Sequence, residues 1–281
     1  MRPVRYSRAP VLLQVFSMSS YARLALAAAL AAAAWTPALH ADPRTVCTIT
    51  VNSADERDIF RRSLPERDYR FVELVERNRP DWLESACRKG VKCDVLLISG
   101  HFDGGVEFYS DKVDARESLP VAEMERASCS DSCPGLFSQL KEVYLFGCNT
   151  LNPEAVRSAT TEVSRSLLRA GYSQADADRL TKILNERNGD SNRDRMRQIF
   201  KDVPVIYGFS SKAPLGAAAG PVLERYFQAG GAGEVASGRP SPKLLALFAP
   251  VSMTSTSGLR DDEPQAGRRR DVCELADDRK S

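Results

Sequence analysis

The sequence predicts an α/β protein with a mostly parallel central sheet flanked by helices, and three observations carry that reading. Two apolar runs, CDVLLISGH ending at His101 and VYLFGCNT around Cys148, are the continuous Val/Ile/Leu-rich kind of strand that a parallel sheet buries on both faces. Strand-like and helix-like segments alternate from Cys47 to His101, a β-α-β-α-β order that requires crossovers between parallel strands. About 240 residues follow position 41, enough for one substantial core or a core with an appendage.

The elements read in order as follows. Cys47 to Val51 alternates apolar and β-branched residues and predicts a first strand; Ser53 with Glu56 offers a capping box for a helix through Arg62. Tyr69 to Val75 predicts the second strand, Arg79-Pro80-Asp81 opens a helix ending near Gly90, and the strand to His101 follows. Val106 to Tyr109 reads as a short strand, with helical stretches near Pro120 to Ala127 and Pro134 to Leu140. After Cys148, Asn152-Pro153 caps a helix with Val156, Ala159, Val163 and Leu167 on one stripe, ended by Gly171. Ser173 and Asp176 start a second helix carrying Ala177, Leu180, Ile183 and Leu184, and a third carries Met196, Ile199 and Phe200. Residues 152–201 are thus a mainly helical insertion, longer than a simple crossover needs. Val203 to Phe209 predicts a strand, Lys212 to Gly216 a loop, and Gly220-Pro221 the start of a helix through Phe227. Gly230 to Pro242 reads as a mobile Gly/Pro/Ser-rich loop, Leu244 to Val251 as a last strand, and 255–281 as a polar, weakly structured tail held only if Cys273 is bridged. The domain accordingly spans 42–254.

Residues 1–41 read as an export signal. Arg23 precedes an Ala/Leu-rich run to Trp35, too short to span a bilayer, and small residues follow up to Ala41; Ala38 is an alternative cleavage site and Met18 an alternative start. No later stretch is apolar enough to span, so the expectation is a soluble chain, periplasmic or secreted. Lys plus Arg total 39 against 37 Asp plus Glu, with no basic face, which excludes nucleic acid as a partner. The run Arg268-Arg269-Arg270 reads as solvated tail.

Seven cysteines lie beyond position 41, and an oxidising compartment would close six of them and leave one thiol. Cys148 is the one expected to stay free. The six others allow fifteen pairings; short separations favour Cys87 with Cys93 and Cys129 with Cys133, leaving Cys47 for Cys273.

His101 is the one histidine after position 41, and Cys148 lies 47 positions beyond it, each where an apolar run ends. Neighbouring strands of a parallel sheet would present imidazole and thiol on one edge, the arrangement of a cysteine nucleophile with a histidine acid/base. The blocks ISGHFDGG and VYLFGCNT resemble the signature blocks of the caspase-like cysteine peptidases (caspases, metacaspases, legumains, separase, gingipain-type enzymes and CHAT domains) over roughly Cys93 to Phe227. The resemblance implies a three-layer caspase-like fold, a Cys148/His101 dyad, and an oxyanion held by the backbone N–H groups of Cys148 and Phe102. Members of that clan carry glycine after the histidine, where Phe102 stands here; Gly104 and Gly105 follow and would supply the turn, and a glycine at 102 is expected to leave activity equal or raise it.

A cysteine after a strand is most often a small buried hydrophobe and a lone histidine a satisfied polar residue; the pairing at two strand ends is what points to chemistry. Asp103 is a candidate to orient His101, Asn149 and Thr150 to cap the turn after the nucleophile, and Ser210 and Ser211 to line a substrate pocket. No cofactor or metal is called for: Asp103-Gly104-Gly105 is too short to cradle phosphate, Cys129-x3-Cys133 lacks a nearby histidine, and no Gly-x-Ser-x-Gly elbow accompanies His101. The expected function is an exported cysteine endopeptidase acting on peptide or protein substrates. Alternatives are an inactive caspase-like fold binding peptide or protein partners, and a thiol-based oxidant sensor.

Overall fold

The structure, a computed structural model, describes residues 42–74, 82–102, 104–111, 117–129, 133, 135–154, 160–187, 190–267, 269–270 and 273. The signal reading of residues 1–41 lies outside the described residues, as do Asp103, Val156 and Ala159. The described residues from Pro43 onward form one compact unit.

Six strands make the main sheet in the order β2-β1-β3-β6-β7-β8: β1 (Arg44–Thr50), β2 (Tyr69–Glu73), β3 (Val95–Ser99), β6 (Glu142–Phe146), β7 (Val205–Phe209) and β8 (Met253–Thr256). All pairs are parallel except β7 with β8. A separate antiparallel hairpin joins β4 (Glu107–Tyr109) to β5 (Ser118–Pro120). The described helices are α1 (Asp55–Ser63), α2 (Trp82–Arg88), α3 (Val121–Cys129), α4 (Thr160–Arg169), α5 (Gln174–Arg187), α6 (Asn192–Ile199), α7 (Gly220–Gln228) and α8 (Pro242–Phe248).

Side-chain alternation divides the core into two layers around the sheet, giving a three-layer α/β architecture. Cys47, Ile49, Leu96, Ile98, Val143, Leu145 and Ile206 pack against α2, α3 and α6 through Leu83, Met124, Met196 and Ile199. Val46, Val95, Leu97, Tyr144, Phe146, Tyr207 and Phe209 pack against α1, α7 and α8 through Phe60, Leu223, Tyr226, Leu244 and Phe248.

Several elements differ from expectation. The Ser53/Glu56 capping box does not form: Ala54 stands at the cap without a side-chain bond, because Glu56 turns inward and is fully buried. Residues 135–139 form turns and no helix. The stretch read as a mobile loop is tied down, since Val235 and Ala236 are buried and the Glu142 carboxylate accepts from Ala236 N–H (3.0 Å), Gly238 N–H (3.1 Å) and Ser237 Oγ (3.2 Å). Leu244 to Val251 is helical: Ser241 Oγ accepts from Leu244 N–H at 3.0 Å, and Pro242 sits in the first turn, where its missing N–H costs nothing. The last strand, β8, comes later and crosses residue 254, and the tail beyond it packs, with Leu259 buried and Glu263 holding Arg197.

Among the described residues three disulfides join Cys47–Cys93, Cys87–Cys133 and Cys129–Cys273. The local pairings favoured by spacing are therefore corrected throughout. Cys93 is buried beside Cys47 of the neighbouring strand, and Cys87 on α2, partly buried against the same core, reaches Cys133 in the segment after α3. Cys129, at the end of α3, reaches the tail. Three disulfides fit an exported protein, and no helix among the described residues is long and apolar enough to cross a membrane.

Candidate functional site

β3 and β6 are neighbours with Ser99 paired to Phe146, and Gly100 N–H continues the ladder to the Phe146 carbonyl at 3.0 Å. Two residues beyond that pair stand His101, after β3, and Cys148, after β6. The two candidate residues therefore stand at the carboxyl ends of adjacent parallel strands, the edge where open α/β sheets place their ligands.

After His101 the chain reverses and returns as β4. His101 and Tyr109 exchange two backbone hydrogen bonds of 2.9 Å, and the imidazole stacks on the Tyr109 ring with centroids 5.4 Å apart. The His101 side chain is 29% exposed, yet its Nε2 is buried and has no hydrogen-bond partner among the described residues. Asp111 Oδ2 lies 3.4 Å from it, close enough for charge attraction without hydrogen-bond geometry, and Asp111 is largely solvated. The reversal uses Gly105 at φ +78°, where a Cβ would collide with Asn192 Oδ1. Gly104 lies in the same bend. Phe102 turns under the sheet end into the core, fully buried and packed on Phe108 at 4.5 Å. The position after the histidine is thus a core position, where a glycine would empty the space against Phe108.

Cys148 is the single cysteine outside the disulfides and is partly exposed. Its sulfur accepts from Ala213 N–H at 3.3 Å and lies 4.0 Å from the Ala213 carbonyl oxygen. Asn149 follows in the left-handed region at φ 59°; its N–H donates to the Ser211 carbonyl (2.7 Å) and its carbonyl accepts from Asn192 Nδ2 (3.0 Å). Thr150 Oγ1 donates to the Gly147 carbonyl and accepts from Phe209 N–H at 3.0 Å, closing the turn against β7. Ser211 thus reaches the Cys148 turn by its backbone, while Ser210 commits both N–H and hydroxyl to the Ser252 carbonyl.

No protein-family model matches this chain, and no curated protein sequence does either. The site therefore stands on its own geometry.

That geometry contains residues the sequence did not single out. Glu56 accepts from Ser99 Oγ (2.9 Å) and from Gly216 N–H (2.7 Å), and burial raises its carboxyl above the ordinary range. Its signal was present but read as a helix cap. Asn192, at the start of α6, bonds the Asn149 carbonyl while its Oδ1 is buried against Gly105 without a hydrogen-bond partner among the described residues, joining the loops that follow the two strands. Helix periodicity could not reveal that contact. A separate cleft of about 260 Å³, lined by Ser128, Phe137, Ile199, Lys201 and Arg269, lies at the opposite end of the sheet, since Lys201 precedes β7.

Proposed function

We propose that the protein is an exported cysteine endopeptidase, periplasmic or secreted, with Cys148 as nucleophile and His101 as proton carrier. The carrying observation is the register: one histidine and one unbridged cysteine leave adjacent parallel strands on the same edge. In the reaction the Cys148 sulfur bonds to the substrate carbonyl carbon and its proton passes to the His101 imidazole. Collapse of the tetrahedral adduct breaks the C–N bond as His101 returns the proton to the leaving amine. Water, deprotonated by His101, then hydrolyses the thioester. The resemblance to caspase-like peptidases supplies the oxyanion donors, the N–H groups of Cys148 and Phe102.

One observation favours a second reading, a non-catalytic peptide- or protein-binding fold. The Cys148 sulfur bonds the Ala213 backbone, and His101 packs on Tyr109, so thiol and imidazole are not hydrogen-bonded to each other. Catalytic contacts are often long before substrate binds, which leaves the peptidase reading ahead. A peptide-library digest by the purified protein beside Cys148→Ala separates the two: cleavage by the wild type alone supports the peptidase, and none by either supports the binding fold.

A further inference from the structure

We infer that Glu56 is the positioning residue of the Cys148 site, a buried carboxyl that fastens the end of the histidine-bearing strand to the loop holding the sulfur. Its consequence for catalysis rests on the peptidase reading; its effect on Cys148 reactivity does not. Glu56 lies in the first turn of α1 and is 0% exposed. An acid in that position is costly unless its oxygens are satisfied. Each oxygen takes a donor from a different part of the chain: Oε2 from Ser99 Oγ at the end of β3 (2.9 Å), and Oε1 from Gly216 N–H in the loop after β7 (2.7 Å).

That loop is pressed onto the start of α1. Gly216 has φ +54°, and a Cβ there would stand 2.9 Å from Asp55 Oδ2 and 3.0 Å from Ser53 Oγ. Three residues earlier in the loop, Ala213 N–H donates to the Cys148 sulfur, and Ser211 accepts from Asn149 N–H. A continuous path therefore runs from the strand bearing His101 through Glu56 and Gly216 to the N–H on Cys148. Asp55 is the charged side chain that acts on Glu56, and it adds to the effect of burial in raising the carboxyl. The Ala213 N–H fixes where the sulfur stands, so a loop that drifts takes the thiol out of the position it holds for reaction.

The test uses the rate at which iodoacetamide alkylates Cys148 at neutral pH in the full chain, alongside thermal melting. Glu56→Ala should slow alkylation about tenfold while the protein stays folded. Glu56→Gln should stay within about threefold of wild type, because its amide oxygen still accepts from Gly216 N–H and its amide N–H₂ reaches Ser99. A purely structural role would lower the melting temperature and leave alkylation unchanged. A folded Glu56→Ala that alkylates at the wild-type rate overturns the inference, and so does a Glu56→Gln as impaired as Glu56→Ala. Should Glu56→Ala not fold, Ser99→Ala cuts one arm of the same bridge and should slow alkylation about threefold; no change overturns the inference. Slowed alkylation in a protein whose wild type cleaves no peptide would remove the peptidase reading and leave the brace standing.

Discussion

A Cβ built on Gly147 would stand 2.8 Å from the Cβ of Phe102 and 2.9 Å from the Gly100 carbonyl oxygen. The residue before the thiol and the residue after the imidazole thus meet across bare backbone. Gly147→Ala must push one of them aside, and we expect a loss of about 1–3 kcal/mol in urea unfolding together with slower Cys148 alkylation. An alanine variant with wild-type values in both would show that the contact has slack.

Phe102→Gly is expected to destabilise by about 3–5 kcal/mol, because it empties a fully buried aromatic site against Phe108. Urea titration measures this directly, and a loss under about 1 kcal/mol would contradict the packing argument.

Cys148→Ala and His101→Ala should each abolish cleavage of any peptide the wild type cuts, while melting within a few degrees of it, since both side chains stand at the solvent edge of the sheet. Equal turnover by all three proteins would remove the dyad. Iodoacetamide added without reductant should label Cys148 and none of the six bridged cysteines.

Burial holds the Glu142 carboxyl above its ordinary value of 4.5 despite its donors Tyr144, Ala236, Ser237 and Gly238. Between 4.5 and the raised folded value the native state binds more protons than the unfolded chain, so this group's contribution is fully present below 4.5 and is lost as pH rises through the folded value. The stability difference between wild type and Glu142→Gln, measured by denaturant titration across pH, should therefore shrink as pH rises. A difference that grows would reverse the sign of the assignment.

The strands around the site were legible because buried parallel strands are written as continuous apolar runs, and both strand-end residues follow from them. What escaped were contacts across the fold. Glu56 obeys a local capping pattern, yet its partners lie 43 and 160 positions away, and no spacing rule reaches that far. The segment from Leu244 to Val251 is apolar enough for a strand, but Ser241 and Pro242 start it as a helix. The tail reads as polar because its charged residues are visible in composition, while the pairing of Glu263 with Arg197 and the burial of Leu259 are not.

The first two disulfide loops interleave, since Cys87 falls inside the span closed by Cys47 and Cys93. In an unfolded chain short loops close at the lowest entropic cost. The thiols that meet most often are then Cys87 with Cys93 and Cys129 with Cys133, the pairs that spacing favours and the native fold rejects. Oxidative refolding should accordingly pass through mispaired species and stall in air alone, whereas a glutathione redox buffer or a disulfide isomerase releases them by exchange. Equal yields from air and from redox buffer would mean that the sheet assembles before any thiol is oxidised, and that the bridges merely lock contacts already made.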